Sequence, residues 1–473
     1  MSKFNTTATI KTTNKAGHVA YGMADKSKLV TQVLTSFFNE NKFYSDNSKE
    51  MQETIKAVIK KDPQFVANLA VFARKEFNMR SVAHVLTAYL AHEVEGKPYT
   101  RKVVKAVSLR GDDVTEIMSC YLSMFGKPIP NALKKGIADA MQGFDEYTLA
   151  KYKGEGKDVK MRDLLCLCRP TPKTDEQSEM WKRCLNGELQ TPYTWESELS
   201  AKGNNKETWE QLIDSGKVGY MALLKNLRNI LNAKPSNVNK VLDYIQNPIA
   251  VKKSKQLPFR FLSAYNELPN GCGSKVYDAL ENAVDAAIEN LPKLDGTTVI
   301  AIDVSGSMSN PISSKSDIRC VDISTLLGLI ANRICENAIV YKFNYDIKEE
   351  SISSRVGVLH EACNAWCGGG TDMTLPFTVM VRDNIKADRI IILSDNMCNY
   401  GSRTVQAYAD KYRKTMNPNL WVHAIDLQGY GTQQFCGART NIIAGWSEKV
   451  FSFITLAEQG EGTLEKTIES YTY

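Results

Sequence analysis

The stretch Thr298-Val-Ile-Ala-Ile-Asp303-Val-Ser305-Gly-Ser307-Met-Ser is an apolar run that ends in one carboxylate and two hydroxyls. A short, unbroken apolar run bounded by a turn is typical of a strand buried in a parallel sheet. Short oxygen side chains on one tight loop suit a hard divalent cation such as Mg²⁺, which prefers oxygen ligands. The stretch therefore predicts half of a metal site at the carboxyl end of a buried strand.

Two later segments supply further oxygen atoms. Cys367-Gly-Gly-Gly-Thr371-Asp372 is a glycine-rich loop that ends in a hydroxyl, and Arg389-Ile-Ile-Ile-Leu-Ser394-Asp395 is a second apolar run that ends in a carboxylate. A parallel sheet gathers such loops at one edge. The ordered set Asp303, Ser305, Ser307, Thr371 and Asp395 resembles the metal-ion-dependent adhesion site of von Willebrand factor A domains. The less favoured alternative is that Asp303 and the serines only cap the following helix.

Strand and helix patterns alternate around this motif. Apolar runs lie at 298–304, 338–343, 389–393 and 420–427, and helical patterns lie at 318–336, 375–384 and 402–416. This alternation predicts a doubly wound (Rossmann-like) parallel sheet with right-handed crossovers over residues 296–473. The resemblance of the metal-site motif implies that this sheet belongs to a von Willebrand factor A-like domain.

Residues 1–295 have a different pattern. Apolar residues recur at helical spacing in 28–38, 49–61, 64–76, 80–92 and 100–109, with start signals at Asp62-Pro63 and at the Asn47/Glu50 pair. We find no convincing strand signal before Thr297. The segment is predicted to be an α-solenoid, and the absence of a fixed repeat period favours irregular, HEAT-like repeats.

Composition limits the protein class. The chain has 473 residues, of which 43% are hydrophobic and 24% charged, with no apolar run that could span a bilayer. The polar start Met-Ser-Lys-Phe is unlike a signal peptide, so we expect a cytoplasmic protein with no membrane partner. The eleven cysteines are expected to be free thiols. A zinc site at Cys166/Cys168 or Cys363/Cys367 is disfavoured because neither pair has a second pair at zinc-site spacing.

Charge is distributed unevenly along the chain. Lys and Arg exceed Asp and Glu by 43 to 34 in residues 1–295, whereas residues 296–473 have 16 basic and 19 acidic residues. Basic clusters lie at 101–110, 134–135, 151–153, 157–169 and 217–260. Any single cluster could be an ordinary solvated helix face. Several clusters in one domain indicate a surface for a polyanion, for which we expect nucleic acid, with aromatic residues such as Tyr152 offering stacking surfaces.

The helical segment also resembles a known family. The stretches 133–140 (Leu-Lys-Lys-Gly-Ile-Ala-Asp-Ala), 149–154 and 161–169 (Met-Arg-Asp-Leu-Leu-Cys-Leu-Cys-Arg) are similar to the signature region of the TROVE domain of Ro autoantigen proteins. The stretches 17–19, 220–228 and 257–262 resemble the same family, in the same order. With the A-type half, the resemblance covers nearly the whole chain.

The resemblance implies a closed ring of HEAT-like repeats bridged by the A domain. It also implies an RNA-binding ribonucleoprotein component that binds small noncoding Y-like RNAs on a basic outer surface and single-stranded 3′ ends of misfolded RNAs in the ring, in RNA quality control or scaffolding. Motif positions and basic clusters together give the expected RNA-binding residues, which are Arg101, Lys102, Lys105, Lys134, Lys135, Lys151, Lys153, Lys160, Arg162, Arg169, Lys225 and Arg228. One departure is Met161, where the family commonly has histidine, and it puts Y-RNA-like recognition in more doubt than general RNA binding.

The resemblance further implies that Ser305, Ser307 and Thr371 offer hydroxyls to a divalent cation, with Asp303 and Asp395 bound directly or through water. An open coordination position would accept an acidic residue of a protein partner, for which an exoribonuclease is one candidate. Phosphate-loop, His-Glu-x-x-His and Gly-x-Ser-x-Gly motifs are absent, so we expect no enzymatic turnover. Two alternatives remain, namely an intracellular metal-dependent adhesion adaptor without RNA binding, and a chelatase-like adaptor for a separate ATPase.

Overall fold

A computed structural model describes residues 11–35, 49–256, 258–289, 291–312, 317–352, 357–400, 404–445, 450–460 and 464–473. They form two compact units. The helical unit comprises Asp25–Tyr193 and Glu465–Tyr473. The sheet unit comprises Thr194–Leu464 and the segment that ends at Ala24. Each end of the chain thus joins the unit that is formed mainly by the other half.

The helical unit consists of short helices joined by short connections. They are α1 (Asp25–Leu34), α2 (Lys49–Lys61), α3 (Pro63–Glu76), α4 (Ser81–His92), α5 (Lys97–Val107), α6 (Asp113–Phe125), α7 (Asn131–Met141), α8 (Glu146–Lys151), α9 (Met161–Cys168) and α10 (Asp175–Asn186). From α1 to α7 each helix packs against the next one, and α5 also packs along α7. The close approach of α5 and α7 requires Gly136, where a Cβ atom would lie 2.7 Å from the Cβ of Val104.

The predicted helices of this unit are confirmed with small shifts at their ends. Those predicted at 49–61, 64–76, 80–92 and 100–109 correspond to α2, α3, α4 and α5. Asp62 caps α3 by accepting a 3.0 Å hydrogen bond from the main-chain nitrogen of Phe65. The helix predicted at 28–38 is α1, and its last three residues lie outside the described part, as does Asn47 of the second start signal.

The C-terminal segment packs against α1 and α3 of the helical unit. Its helix, α24, spans Leu464–Glu469. Asn68 of α3 donates hydrogen bonds of 3.0 Å to the main-chain oxygens of both Ile468 and Glu469. The ring of Tyr471 packs edge-on against Phe72 at 5.3 Å. The helical unit is therefore completed by residues that the sequence assigned to the sheet domain.

The sheet unit begins with a second set of short helices. They are α11 (Trp195–Lys202), α12 (Lys206–Asp214), α13 (Tyr220–Lys225), α14 (Leu227–Ala233), α15 (Val238–Ile245), α16 (Pro248–Ser254), α17 (Pro258–Asn266) and α18 (Ser274–Ile288). Trp209, Phe259 and Phe261 are fully buried among them. A helical repeat-rich region followed by a parallel sheet is the predicted fold class, and it is confirmed.

A six-stranded sheet follows these helices. Its strands are β3 (Leu294–Asp303), β4 (Cys335–Phe343), β5 (Ile347–Glu349), β6 (Arg389–Ser394), β7 (Trp421–Asp426) and β9 (Thr440–Ala444), in the order β5-β4-β3-β6-β7-β9. All neighbours are parallel except β5, an antiparallel edge strand. The chain crosses from β3 to β4 on one side and later returns to β6 on the other. The ends of β3 and β6 therefore flank the switch point, where such sheets place their ligands.

Helices cover the sheet and confirm the doubly wound prediction. They are α19 (Cys320–Ile334), α20 (Val358–Cys363), α21 (Leu375–Arg382), α22 (Val405–Thr415) and α23 (Val450–Glu458). Phe377 of α21 and Tyr412 of α22 are buried against one face. On the other face α19 lies so close that a Cβ atom at Gly328 would be 2.4 Å from the side chain of Ile302. The start of the helix predicted at 402–416 falls partly on residues outside the described part.

The N-terminal segment corrects the prediction that no strand precedes Thr297. β1 (Lys11–Thr13) and β2 (Val19–Gly22) form an antiparallel hairpin that pairs with β8 (Thr432–Gln433). These strands are three, four and two residues long. They are too short to show an alternating pattern, and their stability depends on distant partners.

Candidate metal centre and basic surface

The loop after β3 presents the first three predicted ligands. Asp303 and Ser305 are completely buried. The carboxylate of Asp303 accepts a 2.9 Å hydrogen bond from the main-chain nitrogen of Ser305, and this bond folds the chain back at the end of the strand. The hydroxyls of Ser305 and Ser307 lie 3.3 Å apart. The loop thus holds one carboxylate and two hydroxyls at one point, as predicted.

The glycine loop brings Thr371 to the same edge of the sheet. The main-chain nitrogen of Gly306 donates a 2.9 Å hydrogen bond to the oxygen of Gly369. Thr371 is 1% exposed, and its main-chain nitrogen donates a 2.8 Å bond to the side chain of Asn399. The loops after β3, before α21 and after β6 are therefore hydrogen-bonded to one another.

Asp395, at the end of β6, supplies the second predicted carboxylate. It is fully buried, and Met397 donates a 3.1 Å main-chain hydrogen bond to its Oδ1. Its other oxygen, Oδ2, is buried and has no hydrogen-bond partner among the residues that the structure describes. The hydroxyl of Ser394, one residue earlier, donates a 2.6 Å bond to Oδ2 of Asp303. Ser394 thus ties β6 directly to the carboxylate on β3.

The electrostatics of these carboxylates fit a bound cation. Burial, and secondarily the charge of Asp303, raises the pKa of Asp395 to about 7. Burial also raises the pKa of Asp303. Two buried acids at one point are costly to ionise unless a positive charge compensates them. The orphaned Oδ2 of Asp395 and three neighbouring hydroxyls match the hard oxygen donors that Mg²⁺ prefers, so the residues present fit the predicted ion.

Asp426, which the sequence analysis missed, is a third buried carboxylate at this edge. It ends β7, is 0% exposed, and burial raises its pKa. Its Oδ1 accepts 2.9 Å hydrogen bonds from the main-chain nitrogens of Gln428 and Gly429, whereas no hydrogen bond to Oδ2 is present within the described segments. The available signal was its position, because Asp426 ends an apolar strand just as Asp303 does.

The disfavoured zinc sites find no support in the described residues. None of the eleven cysteines is paired in a disulfide in the described part of the chain. In the part of the chain that the structure describes, no three His, Cys, Asp or Glu side chains gather in a geometry that could hold a metal. The candidate centre described above differs in kind because it depends on hydroxyl groups.

Part of the predicted RNA-binding set lies on adjoining helices of the helical unit. Arg101, Lys102 and Lys105 lie on α5, and Lys134 and Lys135 lie on α7, which packs along it. Asp139 of α7 lies among these residues and binds Arg101 through two hydrogen bonds of 2.6 and 2.9 Å. The hydrogen bond from Arg101 is the largest cause of the lowered pKa of Asp139, and the charges of Lys105 and Lys173 add to it. The helices α5 and α7 therefore form one basic face, partly neutralised by Asp139.

The other predicted residues are more dispersed. Lys151, Lys153 and Lys160 flank the turn between α8 and α9, and Arg162 and Arg169 are exposed on and just after α9. Lys225 and Arg228 belong to the sheet unit, and Arg228 forms an ion pair with Glu267. The predicted residues of α5 and α7 therefore lie close together in the structure, whereas Lys225 and Arg228 lie in a different unit.

Tyr152 and Met161, which the sequence singled out for stacking and for RNA recognition, are both at least partly buried. Tyr152 is half-buried, with Arg110 over its ring at 5.3 Å and Lys151 at 5.7 Å, so part of the expected stacking surface is already covered. Met161 is 0% exposed. Its side chain is part of the interior and does not reach a partner on the surface.

Comparisons with known proteins match both segments. The sequence model of the TROVE domain matches residues 23–187 and 186–275, and that of the Ro60 vWA domain matches residues 297–428. Telomerase protein component 1 of Rattus norvegicus is 25% identical over 325 residues, which are 51% of this chain and 12% of that protein. RNA-binding protein RO60 of Caenorhabditis elegans is 27% identical over 217 residues, 41% of this chain and 32% of that protein. The chain thus spans less than half the length of these relatives.

The fold has a counterpart among solved structures. The crystal structure of the Deinococcus radiodurans RO (RSR) protein superposes with a TM-score of 0.63 at 16% identity, covering 93% of this chain and 100% of that chain. At this level of identity the match establishes similarity of fold.

Proposed function

Since the chain belongs to the TROVE-domain family of Ro proteins, with a Ro60-type von Willebrand factor A domain, we propose that it is an RNA-binding component of a ribonucleoprotein. The observation that carries the proposal is the basic face of α5 and α7. There Arg101, Lys102, Lys105 and Lys135 are exposed on two helices that pack along each other. Such a face attracts successive phosphates whatever the base sequence. A relative of this chain, RO60 of C. elegans, is named an RNA-binding protein.

The RNA that we propose is a small noncoding, Y-like RNA on the basic surface, together with single-stranded 3′ ends of misfolded RNAs taken into a closed ring. The role is noncoding RNA quality control or scaffolding in the cytoplasm, without enzymatic turnover. Buried Met161 leaves recognition to phosphate and shape contacts made by the surrounding basic residues.

The candidate metal centre has a separate part in the proposal. A divalent cation, Mg²⁺ by its preference for hard oxygens, would be held by Asp303, Ser305, Ser307, Thr371 and Asp395 and would supply an open coordination position for a partner's carboxylate. These residues orient the site through the hydrogen bonds among their loops. No base or nucleophile is needed for this role. We propose that the site recruits a protein, for which an exoribonuclease is a candidate.

The proposal is tested by fluorescence anisotropy across a salt series, with a structured RNA that carries a single-stranded 3′ tail and the same RNA made blunt. We expect tight binding that weakens steeply with salt and prefers the tail. Equal binding of both RNAs would leave only an outer basic surface and would remove the ring from the proposal. No binding of either RNA at moderate salt would contradict the RNA function itself.

The metal centre favours one second candidate, an adhesion adaptor that uses this site and binds no RNA. The same titration separates the two, because the adaptor shows no RNA affinity at any salt concentration while still binding Mg²⁺.

A further inference from the structure

Three exposed aromatic rings surround the glycine loop that leads to Thr371. Trp366 is 66% exposed, Tyr345 60% and Tyr400 59%. Large aromatic side chains rarely remain this accessible in a group without a reason, and they are the residues that dominate binding at protein interfaces.

Each of the three rings lies near one glycine of the loop. A Cβ atom at Gly368 would lie 3.0 Å from the ring of Trp366, and one at Gly369 would lie 2.4 Å from the ring of Tyr345. At Gly370 a Cβ atom would lie 3.9 Å from the ring of Tyr400. Gly369 also has a φ of +80°, a conformation that favours glycine. A side chain at Gly368 or Gly369 would therefore crowd the ring of Trp366 or Tyr345, whereas Gly370 lies at ordinary contact distance from Tyr400.

The same loop is bonded to the candidate metal centre. The oxygen of Gly369 accepts the hydrogen bond from Gly306, which stands between Ser305 and Ser307, and Thr371 follows Gly370 directly. Asn344, next to Tyr345, donates a 2.9 Å bond to the oxygen of Gly368. The rings and the metal ligands therefore belong to one hydrogen-bonded assembly at the sheet edge.

We infer that this aromatic rim is a docking surface for an extended protein segment in which one Asp or Glu is flanked by aliphatic or proline residues. The inference rests on the proposed protein-recruiting function of the metal centre. The carboxylate would take the open metal position, and the flanking apolar side chains would cover the rings of Tyr345, Trp366 and Tyr400. Aromatic-lined surfaces are a recurring means of recognising proline-containing segments.

Charge favours a protein over RNA at this surface. Three buried carboxylates, those of Asp303, Asp395 and Asp426, lie at this edge of the sheet, so a polyanion would approach acidic groups there. A segment with a single carboxylate and apolar neighbours places its one negative charge at the cation and otherwise buries uncharged surface. The rim therefore suits a mostly apolar peptide.

The test is a random dodecapeptide display library selected on the full-length protein in Mg²⁺ and eluted with EDTA. The most enriched peptide is then synthesised with a fluorophore, and its affinity is measured by anisotropy. We expect the enriched peptides to share an acidic residue with apolar neighbours. The triple variant Tyr345→Ala, Trp366→Ala, Tyr400→Ala should bind at least about 10-fold more weakly, since removing one interface aromatic often costs more than 1 kcal/mol. Because the three rings are exposed, the variant should keep the wild-type melting temperature.

Matched controls make the outcomes distinguishable. Tyr244→Ala, an exposed tyrosine of α15, should leave the peptide affinity unchanged. Peptides that need only the acidic residue and bind the triple variant equally well would overturn the inference while keeping metal-dependent recruitment. Absence of any EDTA-eluted peptide would overturn it too, as would Mg²⁺-dependent binding of oligouridylate that the triple variant loses. RNA affinity of the basic face is measured in parallel. It should be the same in wild type and triple variant, so failure of the RNA function is seen separately.

Discussion

The side-chain amide of Asn14 donates a 2.7 Å hydrogen bond to the main-chain oxygen of Cys398, 384 residues away. A second, longer bond of 3.3 Å reaches the oxygen of Asn396. Asn14 is 5% exposed and lies in the turn between β1 and β2. The N-terminal hairpin therefore holds the loop that carries Asp395.

Asn14→Ala should weaken Mg²⁺ binding by about 5- to 10-fold, measured by isothermal titration calorimetry. The substitution removes the donor to the main-chain oxygen of Cys398, which costs on the order of 1–3 kcal/mol and loosens the loop after Asp395. Thr12→Ala, on exposed β1, is the control and should bind Mg²⁺ like wild type. Equal affinity in all three proteins would mean that the hairpin does not order the metal loop.

Asp395→Asn should change thermal stability differently in the absence and in the presence of Mg²⁺. In EDTA at pH 8 the variant should melt at or above the wild-type temperature, because it removes one of the buried negative charges. A carboxyl group whose folded pKa is raised to about 7 contributes stability below its ordinary pKa, and that contribution is lost as the pH rises through 7. The metal-free wild type should therefore lose stability relative to the variant between pH 4 and pH 8.

With excess Mg²⁺ the wild type should gain thermal stability, by roughly 2.7 kcal/mol at a hundredfold excess over the Kd, and Asp395→Asn should gain little. Differential scanning calorimetry at both pH values checks this. Asp383→Asn, at a largely exposed ion pair, is the control. If Mg²⁺ stabilises Asp395→Asn against heat as much as it stabilises the wild type, Asp395 is not a metal ligand.

Charge reversal by Lys134→Glu with Lys135→Glu should weaken RNA binding broadly and reduce the slope of affinity against salt by about 2, because two phosphate contacts are lost. Anisotropy with several unrelated RNAs measures both quantities. Lys411→Glu with Lys414→Glu, on the exposed side of α22, is the matched control of equal charge change. If both double variants bind alike, α7 does not contact RNA.

Glu458→Gln should destabilise the sheet unit most above pH 5. Burial opposes ionisation of Glu458, but hydrogen bonds from His423 and Arg389 outweigh it and lower the pKa to about 2. Because the folded pKa is below the ordinary 4.5, the contribution of about 3 kcal/mol is present above pH 4.5 and is lost as the pH falls toward 2. The difference in melting temperature from wild type should therefore narrow on acidification. Glu349→Gln, on edge strand β5, should show no such narrowing.

Asp113→Ala should loosen the helical unit locally. The carboxylate is fully buried and pairs with Arg74 at 3.1 Å, Arg80 at 2.7 Å and His84 at 3.2 Å, and it also accepts from the main-chain nitrogen of Arg110. Removing one partner of a buried ion pair typically costs about 3–5 kcal/mol. Hydrogen exchange of the amides of α4 and α6 should accelerate, whereas Asp158→Ala, in an exposed loop, should leave it unchanged. Unaltered exchange in Asp113→Ala would mean that these contacts contribute no net stability.

The sequence by itself determined the features that depend on local patterns. Apolar runs ending at Asp303 and Asp395 predicted two buried strands with carboxylates at their ends, and both lie at the switch point of the observed sheet. Helical spacing located α2 to α5, and Asp62-Pro63 marked the start of α3. These signals are readable because burial of one face, or of a whole strand, imposes a fixed period on neighbouring residues.

Only the tertiary structure decided which distant residues complete each unit. The hairpin of β1 and β2 shows no strand pattern in the sequence. Asn14 holds the metal loop only because folding brings its side chain to the main-chain oxygen of Cys398. The C-terminal helix α24 belongs to the helical unit because it packs there and accepts a hydrogen bond from Asn68. The burial of Asp426 and the matching of Tyr345 to Gly369 likewise depend on loops that meet only in the folded chain. Such contacts leave no periodic pattern in the local sequence. Bringing residues that are far apart in the chain together costs conformational entropy, and this cost is offset only when the whole unit folds.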